Sequence, residues 1–324
     1  MILFIDLGNN SEKPVMAETL AALPLNNVWL EVVDPSETEL QAVSNATSIP
    51  IGFLRLPKSS DIVNLRFEEG FTIVNFPAME DVISIKKAHP LILAFSKNFL
   101  VTVAKKEVQQ SINIVKERMS KTKIDPPAQV VYFIIDEIIA SHYNHIEKLE
   151  NLTSKMEEEV VEKTVPETLK RIFKLKSNMI RFNKILWYER GLVFNLRKCS
   201  ENCMPDKVRN LFDTTHEDLT RQIDIVETYR EILSDAINVY LSAVSNKINL
   251  SIQSLTVVIF YLTIVTTVTS FPNTVATFFG ISQFGQTDVT IIAVAILLSI
   301  VLPFLWLWRR RWLRYPSPQA EVKL

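Results

Sequence analysis

The sequence predicts an α+β membrane protein with an N-terminal cytosolic α/β domain, a long helical stalk and a C-terminal hairpin of two transmembrane helices. Three observations predict this class. Only 6 of the 324 residues are glycine, where about 7 % is usual, which favours long helices over a turn-rich β protein. Short β-branched runs occupy the first part of the chain, and helix-forming residues dominate the middle. Charged residues are absent from a long C-terminal stretch.

The composition also excludes several functional classes. The chain has 35 Lys and Arg against 36 Asp and Glu, so it is not a generic basic nucleic-acid binder and no nucleic-acid partner is expected. Its 2 cysteines cannot form the disulfide framework of a secreted scaffold. The sequence contains no P-loop, nucleophile elbow or dinucleotide-binding fingerprint, and we therefore do not expect an enzyme.

The first predicted domain, residues 1–122, mixes strands and helices. Its strand candidates are short, β-branched or aromatic, and bounded by Pro, Asn, Asp or Gly; they are residues 2–7, 28–33, 72–76, 91–95 and 99–103. Ser36, which follows Asp34-Pro35 and precedes two glutamates, predicts the start of a helix. Ser96-Lys97-Asn98 predicts a hairpin turn between the last two strands.

The second predicted region, residues 123–250, is a stalk of long helices. Apolar residues at spacings of three and four predict one helix from Val130 to about residue 163. Pro166 suits the first turn of a second helix that ends near residue 197. A third helix is predicted to begin near Pro205 and to run directly into the membrane, with no helix breaker before Pro272.

The C-terminal region predicts a two-span pore domain, residues 251–310. No charged residue occurs from Ile248 to Thr287, and residues 289–308 are again neutral. A charge at the centre of a membrane helix costs about 2.5–3.5 kcal/mol, so a neutral run of this length indicates a membrane environment. The predicted spans are residues 255–279 and 289–308, and the second is about 30 Å long, the thickness of the hydrocarbon core.

The flanking charges predict the orientation of this hairpin. Lys247 precedes the first span, and the second is followed by Arg309, Arg310, Arg311 and Arg314. The connecting loop contains no Lys or Arg. The positive-inside rule then places both termini, including a basic tail at residues 311–324, in the cytoplasm of a multi-pass plasma-membrane protein. Trp306, Trp308 and Trp312 would anchor the second span at the inner interface.

A seam of polar residues follows the first predicted span. Positions that alternate by four and three form one face of a helix, and here they are Asn249, Gln253, Thr256, Phe260, Thr263, Thr267, Ser270, Thr274 and Thr277. Several copies around an axis would line a cation pore with hydroxyls and carboxamides. Alternatively, the hydroxyls bond their own backbone and pack one helix against another. Periodicity alone leaves both interpretations open.

Four further groups of residues are candidate ligand sites. His142 and His145, near Asp136 and Glu137, are either a metal site or histidines between helices. Cys199 and Cys203 lack a clear third ligand for zinc. Two acidic groups are either solvated helix faces or regulatory cation sites; they comprise Glu157, Glu158, Glu159 and Glu162, and Asp213, Glu217 and Asp218.

Three segments resemble the CorA family of divalent-cation transporters. VWLEVVDPSETELQAV (28–43) resembles that family's first cytosolic strand and helix, and LILAFSKNFLVTVAKKEV (91–108) is similar to its KNFLVT hairpin. LSAVSNKINLSIQSLT (241–256) resembles its run into the pore helix. The resemblance covers about residues 27–314. It implies a homopentamer in the lipid bilayer, with a funnel-shaped cytosolic domain and a pore lined by the first membrane helix.

The resemblance also implies site residues. The family's pore-lining polar and hydrophobic-gate positions correspond to Asn249, Ile252 and Leu255. The last two lie one residue before the seam positions 253 and 256. Family members usually carry Gly-Met-Asn at the outer mouth, where this chain has Gly280-Ile281-Ser282. Ser282 replaces the Asn whose carboxamide meets hydrated magnesium in the family. Asp288 is the only acidic residue of the outer loop.

Two functions are therefore predicted as alternatives. The first is a passive divalent-cation channel or transporter, with magnesium favoured and cobalt, nickel or zinc as other candidates. No resident cofactor is expected, since the divalent cation is cargo and, by the resemblance, a regulatory ligand. The second is a membrane-anchored cation sensor or scaffold that does not conduct. The polar seam favours the first function, and Ser282 at the mouth favours the second.

Overall fold

The computed structural model describes residues 1–57, 63–79, 88–120, 126–162, 165–200 and 204–278, with seven single positions between 290 and 305. The chain divides into two compact units, Met1–Ala243 and Val244–Leu324. The first unit contains a sheet with helices on both faces, and long helices follow it in the chain. The second unit contains the last part of the longest helix and seven described positions that are helical.

The sheet has seven strands in the order β2-β1-β3-β7-β6-β5-β4. Their bounds are β1 Ile2–Asp6, β2 Ser11–Val15, β3 Val28–Val33, β4 Asn64–Glu68, β5 Phe71–Met79, β6 Ala88–Phe95 and β7 Phe99–Ala104. Only the central pair β3 and β7 is parallel. All five predicted strands are present. The two missed strands, β2 and β4, are the edge strands, whose largely exposed residues carry little hydrophobic signal.

Three short helices cover one face of the sheet. They are α1 Ala17–Leu20, α2 Glu37–Thr47 and α3 Ile51–Leu54. Leu30 of β3 and Val101 of β7 share a fully buried core with Val43 of α2. Alternate strand residues point to opposite faces, so Trp29 and Glu31 lie on the other side of the sheet.

That second face is covered by α4 Gln109–Ser120 and by the start of α5 Pro127–Glu162. Trp29 Nε1 donates to Thr102 Oγ1 at 2.9 Å within the sheet. Lys116 Nζ of α4 lies 2.6 Å from Glu31 Oε2, so the buried carboxylate is paired. The chain therefore forms a three-layer α/β/α unit around its central sheet.

Two predicted local signals are confirmed. Ser36 caps α2: its hydroxyl accepts from the Glu39 amide, and the Glu39 side chain accepts from the Ser36 amide. In the predicted hairpin, the Ser96 hydroxyl accepts from the amides of Asn98 and Phe99 at 3.2 and 3.3 Å. Residues 91–95 pair antiparallel with residues 100–104, which confirms the predicted hairpin of strands 91–95 and 99–103.

The remaining helices are α6 Pro166–Arg197, α7 Asp206–Arg209 and α8 Phe212–Phe278. The predicted limits of α5 and α6 are confirmed, but the predicted single helix from Pro205 is wrong at its start. A turn at Asn210 and Leu211 separates α7 from α8. Phe212 follows that turn and is fully buried, and the centre of its ring lies 5.2 Å from the centre of the Tyr132 ring. Burial of this side chain gives the turn a packing reason that the linear pattern does not reveal.

By length and composition, one helical stretch within the described ranges, Asp206–Ser270, could cross a membrane. The backbone of α8 remains helical through position 272 and ends at Phe278. The predicted second span is described only at isolated positions, all of them helical. The predicted arginine and tryptophan flank at 306–314 lies outside the described residues.

Candidate functional site: the polar seam of the longest helix

All nine predicted ion-pathway residues lie on α8. They are Asn249, Ile252, Leu255, Thr256, Thr263, Thr267, Ser270, Thr274 and Thr277, and each is exposed in the single chain. An α-helix turns about 100° per residue, so Asn249 and Ile252 fall on the same face as the threonine seam. Leu255 lies about 100° from Thr256, off the centre of that face. The helix geometry thus joins eight of the nine predicted residues into one stripe.

The hydroxyls of this seam donate to their own helix backbone. Thr263 Oγ1 donates to the Ile259 carbonyl at 2.8 Å, and Thr267 Oγ1 to the Thr263 carbonyl at 2.7 Å. Thr256, Thr274 and Thr277 form the same bond to the residue four positions earlier. The hydrogens of these five threonine hydroxyls are therefore used within the helix, while each oxygen keeps lone pairs that can accept from elsewhere.

Back-bonding does not by itself distinguish the seam from the rest of α8. Thr266 Oγ1 donates to the Leu262 carbonyl at 2.8 Å, and Thr269 bonds to Val265 and Thr266. These two threonines lie off the seam and make the same contacts. Exposure does not distinguish the seam either, since apolar Val258 and Leu262 off the seam are 53 and 60 % exposed. The seam is distinguished by its continuous run of polar residues.

The half-buried positions in this part of α8 are apolar. Between residues 251 and 270 they are Val257, Phe260, Ile264 and Val268, and these follow helical spacing. Val257, Ile264 and Val268 lie about a quarter turn from the centre of the seam, whereas Phe260 is the one apolar residue of the seam itself. The seam threonines and Ser270 are exposed in the single chain.

The predicted selectivity mouth, Gly280, Ile281, Ser282 and Asp288, lies outside the described residues. Its assignment still depends on the sequence alone. The described part of the pathway accordingly runs from Asn249 to Thr277 along α8.

The comparisons with known proteins agree with this architecture. The model of the CorA-like Mg²⁺ transporter protein family matches residues 25–311, most of the chain. The chain belongs to the CorA-like Mg²⁺ transporter family. The resemblance inferred from the three sequence segments is thereby confirmed, as is the prediction of a metal-ion transporter of this family rather than a member of an enzyme family.

Individual relatives show how far the similarity extends. The cobalt/magnesium transport protein CorA of Methanocaldococcus jannaschii is 22 % identical over 87 % of this chain and 90 % of its own length. The protein of the same name from Thermotoga maritima is 30 % identical, but that match spans 40 % of this chain and 37 % of the relative.

Solved structures show the same fold. The CorA magnesium transporter of M. jannaschii superposes with a TM-score of 0.71 at 18 % identity, covering 96 % of this chain and 98 % of that one. The ZntB cytoplasmic domain from Vibrio parahaemolyticus gives a TM-score of 0.61 at 11 % identity, over 75 % of this chain and 98 % of that one. The predicted α/β domain, long helix and C-terminal helix able to cross a membrane are thus confirmed as this family's fold.

A second polar cluster lies buried among α5, α6 and α8. His142 is fully buried, and its Nδ1 lies 3.3 Å from Gln222 Oε1, an atom that can only accept. Gln222 Nε2 in turn donates to the Ile139 carbonyl at 3.0 Å. Glu189 Oε2 lies 3.6 Å from the same His142 nitrogen, and this carboxyl is also fully buried. The cluster links one side chain from each of three helices.

Burial determines the charge of this cluster. It lowers the pKa of His142 to about 3, helped by neighbouring His145. It raises the pKa of Glu189 well above its ordinary value. Both groups are thus held neutral. His145 Nε2 donates to the Met79 carbonyl at 3.2 Å, which ties α5 to the sheet.

These contacts favour the interhelix interpretation of the two histidines. The Asp136 carboxylate already pairs with the Arg118 guanidinium at 2.8 Å and accepts from the Thr215 hydroxyl at 3.1 Å. No group of three His, Cys, Asp or Glu side chains suited to a metal ion occurs among the residues that the structure describes. Sequence reasoning missed Glu189 and Gln222, although a histidine on the apolar face of a helix signals that polar partners are needed.

The acidic candidates occupy solvated helix faces with a few ion pairs. Glu159 pairs with Arg171 across α5 and α6, and Asp213 lies 2.5 Å from Arg197. Arg221 is within 3.9 Å of Asp218. Cys199 is a buried thiol, and Cys203 lies outside the described residues.

Proposed function

We propose that this chain is a passive channel or transporter for divalent cations, with magnesium favoured over cobalt, nickel and zinc. It would conduct through a homopentameric pore lined by the seam of α8. The observation that carries this proposal is the continuous stripe of exposed hydroxyls along α8, in a member of a metal-transporter family. An exposed hydroxyl gains no hydrogen bond from lipid, so contact with water or with another copy of the chain is more favourable for this face.

The bonding of the threonines suits a hydrated cation. Water molecules around a cation direct their oxygens inward and their hydrogens outward. A threonine whose hydrogen is already donated to its own helix, such as Thr267, presents only lone pairs to the pore. A stack of such acceptors would contact the outer hydrogens of the hydrated ion without stripping its water, and these threonines would offer an anion no donor.

We propose further roles for the ends of this pathway. Ile252 and Leu255, beside Asn249, would form the hydrophobic constriction that gates the pore by dewetting. At the other end, Gly280, Ile281 and Ser282 would receive the incoming ion, and a ring of Asp288 would attract cations. Entry would be driven by the ion gradient and the membrane potential, which supplies about 4.6 kcal/mol per divalent ion at 100 mV.

The proposed setting is a plasma membrane with both termini in the cytoplasm. A cysteine introduced at Gln286 should then react with an impermeant reagent from the outside of intact cells. Reaction only after lysis would reverse the orientation.

The decisive experiment is ion flux into liposomes that contain the purified full-length chain. A panel of Mg²⁺, Co²⁺, Ni²⁺ and Zn²⁺ should show uptake that depends on the chain and on the imposed potential. Mass in mild detergent should be about five times 37.1 kDa plus the micelle. An oligomer that passes none of these ions would favour the alternative function, a non-conducting cation sensor or scaffold.

The variant Ser282→Asn sharpens the assignment of the mouth. A longer carboxamide would place an acceptor farther into the opening, so selectivity for Mg²⁺ over the other ions should rise. Gly280→Ala should reduce flux more severely, since a Cβ costs about 1 kcal/mol where φ is positive. If both variants conduct like the parent at equal protein level, this segment is not the mouth.

A further inference from the structure

The solvent face of α6 combines aromatic and basic side chains. Phe173, Ile180, Trp187 and Phe194 follow one another every seven residues, and each is between 39 and 54 % exposed. Exposed Lys170, Lys174, Arg181 and Lys184 lie among them. From residue 170 to 197, α6 has one acidic residue, Glu189, and it is buried. We call this face the basic stripe.

The basic side chains and the rings are neighbours in space. The Arg190 guanidinium lies 3.9 Å from the centre of the Trp187 ring. Lys184 Nζ lies 5.5 Å from the Tyr188 ring, which is also exposed. Within the described residues, none of the four stripe cations forms an ion pair. The stripe therefore presents unpaired positive charge together with apolar surface, a combination that monomeric surfaces rarely expose over such a length.

An opposite stripe runs along the first part of α8. Ile225 and Ile232 are half-buried and Val239 is exposed, again at seven-residue spacing. Exposed carboxylates accompany them at Glu217, Asp224, Glu231 and Asp235. In the part of the chain that the structure describes, these four carboxylates form no ion pair. We call this face the acidic stripe.

The two stripes match in period and in length. Residues 173–194 of α6 and 217–239 of α8 each extend about 32 Å along their helices. An apolar repeat of seven winds slowly around a straight helix, and the natural partner of such a stripe is a second helix crossing at about 20°. The two stripes are thus complementary in charge and matched in length.

One chain cannot pair its own stripes, because its α6 and α8 already pack through other side chains. Lys176 Nζ donates to Ser234 Oγ at 2.7 Å, and Asn183 Nδ2 to Glu227 Oε1 at 3.1 Å. Arg197 and Asp213 complete this contact. Both stripes are left uncovered on the outside of the helix pair.

We infer that the basic stripe of α6 docks on the acidic stripe of α8 in a second copy of this chain. The contact is head-to-tail, since each copy supplies one stripe to each neighbour, and head-to-tail contacts close into rings. A lipid surface would suit the basic stripe alone, but it would leave the matching acidic stripe without a partner. The inference rests on the self-association in the proposed function and specifies which surfaces form it.

Cysteine cross-linking in the full-length chain tests this contact. Lys184 and Thr228 lie at the centres of their stripes, so they meet whether the helices run parallel or antiparallel. Two differently tagged chains, one with Lys184→Cys and one with Thr228→Cys, are co-expressed in a Cys203→Ser background, where the remaining Cys199 is buried. We expect a disulfide-linked heterodimer on mild oxidation. The matched control pairs Lys184→Cys with Asn151→Cys, an exposed position on α5 that belongs to neither stripe.

Charge reversal adds a second measurement. Lys174→Glu with Arg181→Glu should lower the cross-link yield about tenfold, because carboxylates would then face carboxylates. Adding Asp224→Lys and Glu231→Lys to the partner chain should restore the yield. All four positions are exposed, so these substitutions should not disturb the folding of the single chain.

The outcomes separate this inference from the proposed function. An oligomeric mass with cross-linking no higher than in the α5 control overturns the stripe contact and leaves the pore proposal standing. A monomeric mass in mild detergent overturns both. Protection of Lys184→Cys from an aqueous reagent only in anionic lipid, without cross-linking, would reject the second copy in favour of a lipid surface.

Discussion

The buried polar cluster of the first unit and the threonine seam of the second unit form their hydrogen bonds in opposite ways. In the first unit, His142 of α5 reaches Gln222 of α8, and Gln222 reaches back to the Ile139 carbonyl. In the second unit, threonines such as Thr263 bond the carbonyl four residues earlier on their own helix. The first arrangement fixes helices against one another within one chain. The second requires no partner and leaves an acceptor surface available to water, ions or another copy.

The largest expected effect on ion flux concerns the acceptor surface of the seam. Thr267→Val combined with Thr274→Val removes two hydroxyls from the seam at nearly constant volume, and we expect ion flux to fall about tenfold, equivalent to about 1.4 kcal/mol on the barrier. The oligomer should keep its thermal stability. Liposome flux and detergent mass measure the two quantities.

Thr266→Val with Thr269→Val is the matched control. Both hydroxyls form the same backbone bonds but lie off the seam, so flux should remain at the parental level. A loss of oligomer stability with unchanged flux in the seam variant would instead show that the hydroxyls only pack helices together.

The second prediction breaks the interhelix network of the first unit. Gln222→Leu leaves His142 Nδ1 buried without its Gln222 partner and removes the second helix's bond to the Ile139 carbonyl, and we expect a loss of about 2 kcal/mol in the free energy of unfolding. Thermal or denaturant unfolding of the full chain measures the change. Arg221→Leu, at the exposed neighbouring position, should change stability by less than about 0.5 kcal/mol. Equal effects of the two variants would contradict a structural role for the network.

The third prediction concerns pH. His142 has a folded pKa of about 3, below that of the unfolded chain, near 6.5. The unfolded chain then binds more protons, so the contribution of His142 to stability is complete above about pH 6.5 and declines as the pH falls toward 3. Glu189 has a raised pKa, so its contribution is complete below about pH 4.5 and declines as the pH rises through its folded pKa.

Glu189→Gln separates these two effects. The amide cannot ionise, so the alkaline decline should become shallower while the acid decline remains. Melting temperature between pH 4 and pH 9 measures this, and we expect a smaller change than for Gln222→Leu. An unchanged alkaline limb would show that Glu189 is not held neutral by burial.

The smallest expected effect is at a helix end. Ser36→Ala removes the reciprocal cap of α2, which should cost about 1 kcal/mol of unfolding free energy. Gln41→Ala, on the exposed surface of the same helix, serves as the control and should be nearly neutral. Chemical denaturation measures both. This prediction extends the comparison to a local contact that, like the threonine bonds, can be read from sequence spacing alone.

The sequence by itself determined the features that depend on short-range spacing. The limits of α5 and α6, the Ser36 cap, the hairpin at Ser96 and the polar seam follow from residues within a few positions of one another. The segments around residues 28–43, 91–108 and 241–256 were also sufficient to place the chain in its family.

Only the tertiary structure decided the features that depend on contacts distant in the chain. The edge strands β2 and β4 have exposed surfaces, so their place follows from pairing with a neighbour and not from their own pattern. Glu189 and Gln222 gain their role because folding buries them beside His142, which precedes them in the chain by 47 and 80 residues. Hydrogen bonds between near neighbours follow from the spacing of residues along the chain. Burial of a polar group depends instead on which distant helix packs over it, and residue spacing does not specify that helix.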